Sequence, residues 1–206
     1  MSIIIIDYGM GNVGSIANMI KKVGGTSIIT SSIQDINNAE KIILPGVGAF
    51  DNGMKNIVSS GLIEVLNKKA LEDKIPILGI CLGMQLMTLR SDEGVEKGLG
   101  WVKATTNKFD FTKITETLRI PHMGWNTVTQ QKNHPLIQNM ELENSRFYFV
   151  HSYFVTCNFQ KDVLLTCHYG LEFVAAFQNE NIMGVQFHPE KSHKFGMQLM
   201  RNFLSI

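Results

Sequence analysis

The residue most able to do chemistry is Cys81, one of three cysteines in the chain. Ile77-Leu78-Gly79-Ile80 is a short apolar run entered through Pro76, as for a strand buried on both faces. Residues 84–89 are good helix formers. Between them, Gly79-Ile80-Cys81-Leu82-Gly83 has the Gly-x-nucleophile-x-Gly layout of an elbow where a strand turns sharply into a helix. Gly79 and Gly83 carry no side chain to crowd such a turn. The spacing predicts Cys81 at the carboxyl end of a sheet and at the amino end of a helix, where the helix dipole favours the reactive thiolate. A lone cysteine is more often a buried structural residue. Here the flanking glycines and the strand-to-helix setting favour the nucleophile.

A thiol nucleophile needs a base and an oxyanion hole. The base candidate is His188, which ends the apolar run Gly184-Val185-Gln186-Phe187. Pro189 keeps His188 extended, because a residue before proline avoids the helical region. Glu190, two residues on, then lies on the same side of the chain. It can hold one ring nitrogen of His188 while the other faces Cys81, fixing the tautomer and stabilising the imidazolium. His151 is the second candidate; His122, His134, His168 and His193 lack a comparable setting. An oxyanion hole at an elbow uses the amide after the nucleophile, here Leu82, and one from a neighbouring strand's loop. Pro45-Gly46-Val47-Gly48 supplies that loop, and its glycines let a peptide reorient. The cysteines have no metal-ligand spacing, and no metal or other cofactor is expected.

The elements that position these groups alternate. Strands are expected over 2–7, 27–30, 41–44 and 77–80. Helices are expected over the stretch holding Val13, Ile16, Ile20 and Val23, and over 50–71. That order implies a parallel sheet with helices on both faces, an α/β fold. From Trp101 onward the pattern changes to strands over 101–109, 117–120, 146–156, 163–168, 173–178 and 182–187. Most are joined by short turns, so the second half reads as largely antiparallel, extending the first into one mixed sheet. A last helix carries Leu199, Met200, Phe203 and Leu204. At 206 residues the chain reads as a single domain, 1–206.

Composition excludes several classes. A net charge of +1 leaves no nucleic-acid footprint. No apolar run approaches a membrane span, and the start lacks the basic region and cleavage site of a signal peptide. An odd number of cysteines suits a reducing cytoplasm, with Cys157 and Cys167 as structural thiols. One motif competes with the thiol site. Gly9-Met10-Gly11-Asn12-Val13-Gly14 is a literal Gly-x-Gly-x-x-Gly between a strand and a helix, with Asp35 near the distance expected in a dinucleotide fold. Asp7 and Tyr8, however, put a charge and a ring where a pyrophosphate would approach, and Asp35 lies past the turn after its strand. A glycine-rich turn against a neighbour is the simpler reading, and a nucleotide-binding oxidoreductase the weaker one.

Taken together, Gly79-Ile80-Cys81-Leu82-Gly83-Met84-Gln85 and His188-Pro189-Glu190 resemble the class I glutamine amidotransferases. Further segments are similar to one branch, the glutaminase subunits of imidazole glycerol phosphate synthase. These are Asp7-Tyr8-Gly9-Met10-Gly11-Asn12, Leu44-Pro45-Gly46-Val47-Gly48-Ala49-Phe50, Pro121-His122-Met123-Gly124-Trp125-Asn126 and Tyr148-Phe149-Val150-His151-Ser152-Tyr153. The resemblance implies a flavodoxin-like amidotransferase fold and a Cys81-His188-Glu190 triad that hydrolyses glutamine. It implies an oxyanion hole from Leu82 and the Val47-Gly48 region, and glutamine contacts from Gln85, Ser152 and Tyr153. It also implies a heterodimer with a (β/α)₈-barrel cyclase, which uses the ammonia to make imidazole glycerol phosphate and an aminoimidazole carboxamide ribotide in histidine biosynthesis. Asn12, Met123, Trp125 and Lys191 match interface positions, and Tyr148 lies near the ammonia exit. The segments 89–94 and 188–196 also resemble paralogues that supply ammonia for an acetamidino group on a surface-polysaccharide sugar.

Overall fold

Short isoleucine-rich segments build the centre of the molecule, whose computed structural model describes residues 3–112 and 117–206. The first half runs β1 (Ile3–Ile6), α1 (Val13–Lys22), β2 (Ser27–Thr30), α2 (Ile33–Asn37), β3 (Lys41–Leu44), α3 (Phe50–Ser59), α4 (Ile63–Asn67), β4 (Ile77–Ile80) and α5 (Leu82–Leu86). The second half adds β5 (Ala104–Lys108), β6 (His122–Thr127), β7 (Thr129–Gln130), β8 (Arg146–His151), β9 (Tyr153–Cys157), β10 (Val163–Tyr169), β11 (Leu171–Asn179), β12 (Ile182–Val185) and α6 (His193–Ser205). The main sheet has the order β2-β1-β3-β4-β12-β11-β10-β7, with β9 on β11 and β5 on β9. It is parallel from β2 to β12 and antiparallel beyond. β6 and β8 form a separate two-stranded ribbon.

Alternate residues of each parallel strand face opposite sides of the sheet. Ile3, Ile5, Ile43, Leu78 and Ile80 pack with α1 and α6, whereas Ile4, Ile6, Ile42, Leu44 and Ile77 pack with α2, α3 and α4. Every residue of β1, β3, β4 and β12 is buried, as a strand covered on both faces requires. Each isoleucine or leucine so buried contributes about 1.5–3 kcal/mol. The carboxyl ends of β3, β4 and β12 therefore sit side by side on a rigid base.

Several expected boundaries differ from the structure. The helix after Cys81 is confined to α5, because the 98–102 segment takes the carbonyls that would extend it. Leu99 N–H donates to Leu86 O at 2.8 Å, Val102 N–H to Met87 O at 3.1 Å and Gly98 N–H to Leu89 O at 3.0 Å. A helix this short has a correspondingly small dipole. The strand expected over 101–109 shrinks to β5, and Trp101 instead packs inward, its Nε1–H donating to Asn67 Oδ1 at 2.7 Å. The helical stretch 50–71 breaks at Gly61, whose φ of 70° does not continue a helix, and α4 runs into a π turn, Lys68–Glu72. The strand expected over 117–120 lies wholly within the described residues, just after the undescribed 113–116. Residues 117–120 form no strand; Tyr169 Oη–H donates to the Arg119 carbonyl there at 2.8 Å, and pairing resumes at β6, after Pro121. The strand expected over 146–156 divides at Ser152, where the chain leaves the β6–β8 ribbon for the main sheet.

Candidate active site

Cys81 caps β4 with φ 53° and ψ −110°, a conformation that costs a non-glycine residue about 1–3 kcal/mol. The surroundings impose it. Cys81 N–H donates to Val185 O at 2.8 Å, and Gln85 N–H closes the first turn of α5 onto Cys81 O at 3.2 Å. The flanking glycines are needed for close approach. A Cβ on Gly83 would lie 1.8 Å from Leu44 O, and one on Gly79 would lie 2.8 Å from the Gly83 carbonyl. So the start of α5 presses on the end of β3, and the thiol stands at the carboxyl edge of the sheet.

β12 delivers the imidazole. His188 is extended, and its N–H donates to Tyr148 O at 2.9 Å. Its Nδ1 lies 2.8 Å from Glu190 Oε1, with both side chains only 2% exposed. An ionised carboxylate only accepts, so Nδ1 carries the hydrogen and Nε2 is left for Cys81. Nε2 is buried and makes no hydrogen bond of standard geometry. Burial by itself lowers the His188 pKa. The hydrogen bond to Glu190 and the negative charge of Cys81 and Glu190 beside it outweigh it and bring the value up to about 9. His151, the second base candidate, lines the same pocket, but burial pulls its pKa down to about 3. Burial pushes the Cys157 and Cys167 thiols up to about 12, consistent with structural roles.

The thiol opens into a cavity of about 220 Å³ lined by Val47, Gly48, Leu82, Gln85, Ser152 and Tyr153, with Glu93 at its wall. That is below the ~300–1,000 Å³ of drug-sized sites and suits a single amino acid. The Gln85 amide donates to Tyr153 O at 3.1 Å and to Gln186 Oε1 at 3.0 Å, so what it has left for a ligand is its oxygen. Gln186 Nε2 in turn donates to Cys81 Sγ at 3.7 Å.

Two of these residues are not evident from sequence. Glu93 reaches the pocket because its carboxylate accepts the Phe50 N–H at 2.9 Å, while Asp51 accepts the N–H groups of Val95 and Glu96. These contacts fasten the 93–96 loop to the start of α3, and no local pattern announces them. Gln186 is a polar residue inside an apolar run, and that break in hydrophobicity is the available signal.

The expected oxyanion-hole amide is occupied. Leu82 N–H donates to Gly46 O at 3.3 Å, so the Pro45–Gly48 loop closes over the donor. Next to it Tyr8 Oη–H donates to Pro45 O at 2.5 Å, and a Cβ on Gly11 would meet Gly46 N at 3.1 Å. Burial, together with the charge of Cys81, holds the Tyr8 phenol well above its ordinary range. The Gly-x-Gly-x-x-Gly loop thus packs on the Pro45–Gly48 loop, leaving no approach for a pyrophosphate. Asp35 is occupied locally, accepting from Thr30 Oγ1 at 2.9 Å.

Of the remaining expected residues, Met123, Trp125, Tyr148 and Lys191 gather on one face. Trp125 and Tyr148 are cross-strand partners on β6 and β8, 6.0 Å apart and edge-on. Trp125 stacks on His193 at 5.2 Å, and Lys191 Nζ lies 5.6 Å over the Tyr148 ring. Met123 and Trp125 are 61% and 45% exposed. Trp125 lies on strand β6, pointing outward by strand alternation. Asn12 caps α1, its side chain accepting the Ser15 N–H at 3.3 Å.

Comparison with known proteins matches this geometry. A family model described as glutamine amidotransferase class-I matches residues 4–206. The chain is 57% identical over 98% of both chains to an imidazole glycerol phosphate synthase subunit HisH 2 of Methanococcus maripaludis. The chain belongs to the class-I glutamine amidotransferases, in the HisH family. A HisH 2 subunit of Pseudomonas aeruginosa is 48% identical over 99% of both chains. The amidotransferase fold recurs at low identity. The structure of PurLQS from Thermotoga maritima superimposes with a TM-score of 0.75 at 19% identity, covering 99% of this chain and 97% of that one. A glutamine amidotransferase from the same organism gives 0.70 at 13%, covering 100% and 96%.

Proposed function

We propose that this amidotransferase hydrolyses glutamine to glutamate and ammonia and passes the ammonia to a cyclase subunit with a (β/α)₈ barrel. There it would be used to make imidazole glycerol phosphate in cytoplasmic histidine biosynthesis. The observation that carries the reading is the strained Cys81 elbow opposite the buried His188–Glu190 pair, at the floor of an amino-acid-sized pocket.

The chemistry follows from the groups present. Cys81 Sγ attacks the side-chain amide carbon of glutamine, forming a C–S bond and an oxyanion. The oxyanion collapses, the C–N bond breaks, and the His188 imidazolium gives its Nε2 proton to the leaving ammonia. His188, now neutral, takes a proton from water, whose hydroxide attacks the thioester. Glutamate leaves and the thiolate–imidazolium pair is restored. Glu190 holds the ring throughout. Gln85, Ser152 and Tyr153 hold the glutamine, and the Glu93 carboxylate suits its α-ammonium group.

The oxyanion needs two N–H donors, and the Leu82 amide is engaged with Gly46. Release of the Pro45–Gly48 loop is therefore the step a partner can control. Gly48, at φ 124°, has the freedom to let the peptide turn. The exposed Met123 and Trp125, with Tyr148, Lys191 and Asn12, form the face for the cyclase. The test is glutamate release by the purified chain, alone and with the cyclase, with and without the phosphoribulosyl-formimino nucleotide. The expected result is weak turnover alone and strong stimulation by liganded cyclase. Absence of glutamate in every condition would overturn the reading. Stimulation by the partner without dependence on that nucleotide would keep the glutaminase and direct its ammonia to another acceptor, a sugar.

A further inference from the structure

Two buried histidines that the mechanism does not use stand beside the pocket, His151 lining it and His122 paired behind it. His122 on β6 and His151 on β8 are direct cross-strand partners, 3% and 6% exposed. His122 Nδ1 lies 3.0 Å from His151 Nε2, and His151 Nδ1 lies 2.7 Å from Tyr153 O. A carbonyl can only accept, so His151 Nδ1 carries a hydrogen and its Nε2, in the neutral ring, accepts. The hydrogen between the rings therefore belongs to His122 Nδ1. His122 Nε2 is then the acceptor, and it faces Asn126 Nδ2 at 3.4 Å. The orientation of that amide is set independently, since Asn126 Oδ1 accepts the Thr127 N–H at 2.8 Å and Nδ2 donates to His168 O at 2.9 Å. One arrangement of hydrogens satisfies every contact, and it runs one way, from Asn126 through His122 and His151 to Tyr153 O.

The chain of contacts does not end there. Tyr153 O also accepts from Gln85, which donates to Gln186, which donates to Cys81 Sγ. At its other end it begins on β6, the strand that exposes Met123 and Trp125. Shape alone does not require histidine at position 122. Its ring is sandwiched between Phe149, at 4.9 Å, and Tyr169, at 4.1 Å, a slot that phenylalanine would fill. What histidine adds is a directed N–H. Burial keeps both rings neutral, with pKa values lowered to about 4 for His122 and about 3 for His151. A proton added to His151 would set donor against donor.

We propose that His122 and His151 are positioning residues whose one-way hydrogen-bond chain ties the partner-facing strand β6 to Tyr153 O and Gln85 in the glutamine pocket. The inference rests on the glutaminase reading given above. It makes the pocket wall and the docking strand one hydrogen-bonded unit, separate from the Pro45–Gly48 loop on the other side of the thiol.

The test uses the full chain with its cyclase. His122→Phe keeps the stacked ring and removes the donor, whereas His122→Asn keeps an N–H near the Nδ1 position. Loss of one buried hydrogen bond should raise KM for glutamine about tenfold in His122→Phe. The kcat of the stimulated complex should change much less, because Cys81 and His188 are untouched, and His122→Asn should recover most of the loss. An unchanged KM in His122→Phe, or equal loss in both variants, would overturn the positioning role. Independently of activity, ¹⁵N spectra of the wild-type chain should show both rings protonated on Nδ1 and bare on Nε2 across about pH 5 to 8, where an ordinary histidine titrates. A proton on Nε2 of either ring would overturn the order. If the wild-type chain releases no glutamate, the glutaminase reading fails on its own, and the spectra still decide the proton order.

Discussion

Tyr8→Phe isolates the contact that keeps the oxyanion-hole loop closed. The substitution preserves the ring and deletes one hydroxyl, which donates to Pro45 O at 2.5 Å from a fully packed position. Beside it, the bond that occupies the hole is the weaker one, Leu82 N–H to Gly46 O at 3.3 Å. Removing the stronger contact leaves the weaker to hold the loop, and the buried Pro45 carbonyl, deprived of its donor, gains by moving outward. A buried hydrogen bond contributes about 0.5–1.5 kcal/mol net, which corresponds to about two- to thirteen-fold in the population of the released loop. If closure limits turnover in the free subunit, basal glutamate release should rise by that factor. The rate of the complex with liganded cyclase, where the loop is already released, should stay the same. The same loss should lower Tm by about 2–4 °C per kcal/mol for a chain of this size. A coupled glutamate assay and a thermal melt on one preparation measure both. A lowered Tm with an unchanged basal rate would refute the reasoning, since Tyr8 would then fasten the loop without governing the hole.

Cys81→Ala should abolish glutamine hydrolysis yet leave synthesis from added ammonia by the complex; residual hydrolysis would assign the nucleophile elsewhere. His188 has a folded pKa of about 9, above its ordinary 6.5. Its proton therefore adds stability that is complete below about pH 6.5 and is lost as the pH rises through about 9, by at most about 3 kcal/mol. Activity should fall over the same upper range, and Glu190→Gln should move that basic limb to lower pH; a limb that stays in place would remove Glu190 as the orienting group. Gly83→Ala puts a Cβ 1.8 Å from Leu44 O, so the end of β3 must shift. Denaturant melts should show at least the ~1–3 kcal/mol loss of overpacking, and wild-type stability would contradict the close approach. Glu93→Gln keeps an acceptor for Phe50 N–H but loses the charge, so KM for glutamine should rise about ten- to a hundred-fold. An unchanged KM would mean that another group takes the substrate ammonium.

Much of the site was legible because its signals are local. Gly79-x-Cys81-x-Gly83 and His188-Pro189-Glu190 each encode a turn and a side-chain direction within a few residues. The apolar strands buried on both faces announced the parallel half of the sheet. Boundaries were less legible where remote groups compete for backbone partners. Helix propensity beyond Leu86 is overridden by N–H groups from the 98–102 segment. The strand that reads as continuous through Ser152 divides because its two halves pair with different sheets. Residues 122–127, absent from the strands read in the sequence, form β6 because they pair with β8, a segment far along the chain.

The sequence by itself determined the available chemistry and the α/β scaffold, since the proposed nucleophile, base and orienting carboxylate, Cys81, His188 and Glu190, sit in short local motifs and hydrophobic period follows from residue order. Only the tertiary structure decided how these parts are set against one another. It brings Glu93 to the pocket wall and Gln186 to the thiol, closes Gly46 O onto the Leu82 amide, and joins His122, His151, Tyr153 and Gln85 into one directed hydrogen-bond chain. Each of these depends on a few tenths of an ångström between groups far apart along the chain, a quantity that packing sets and residue order does not display.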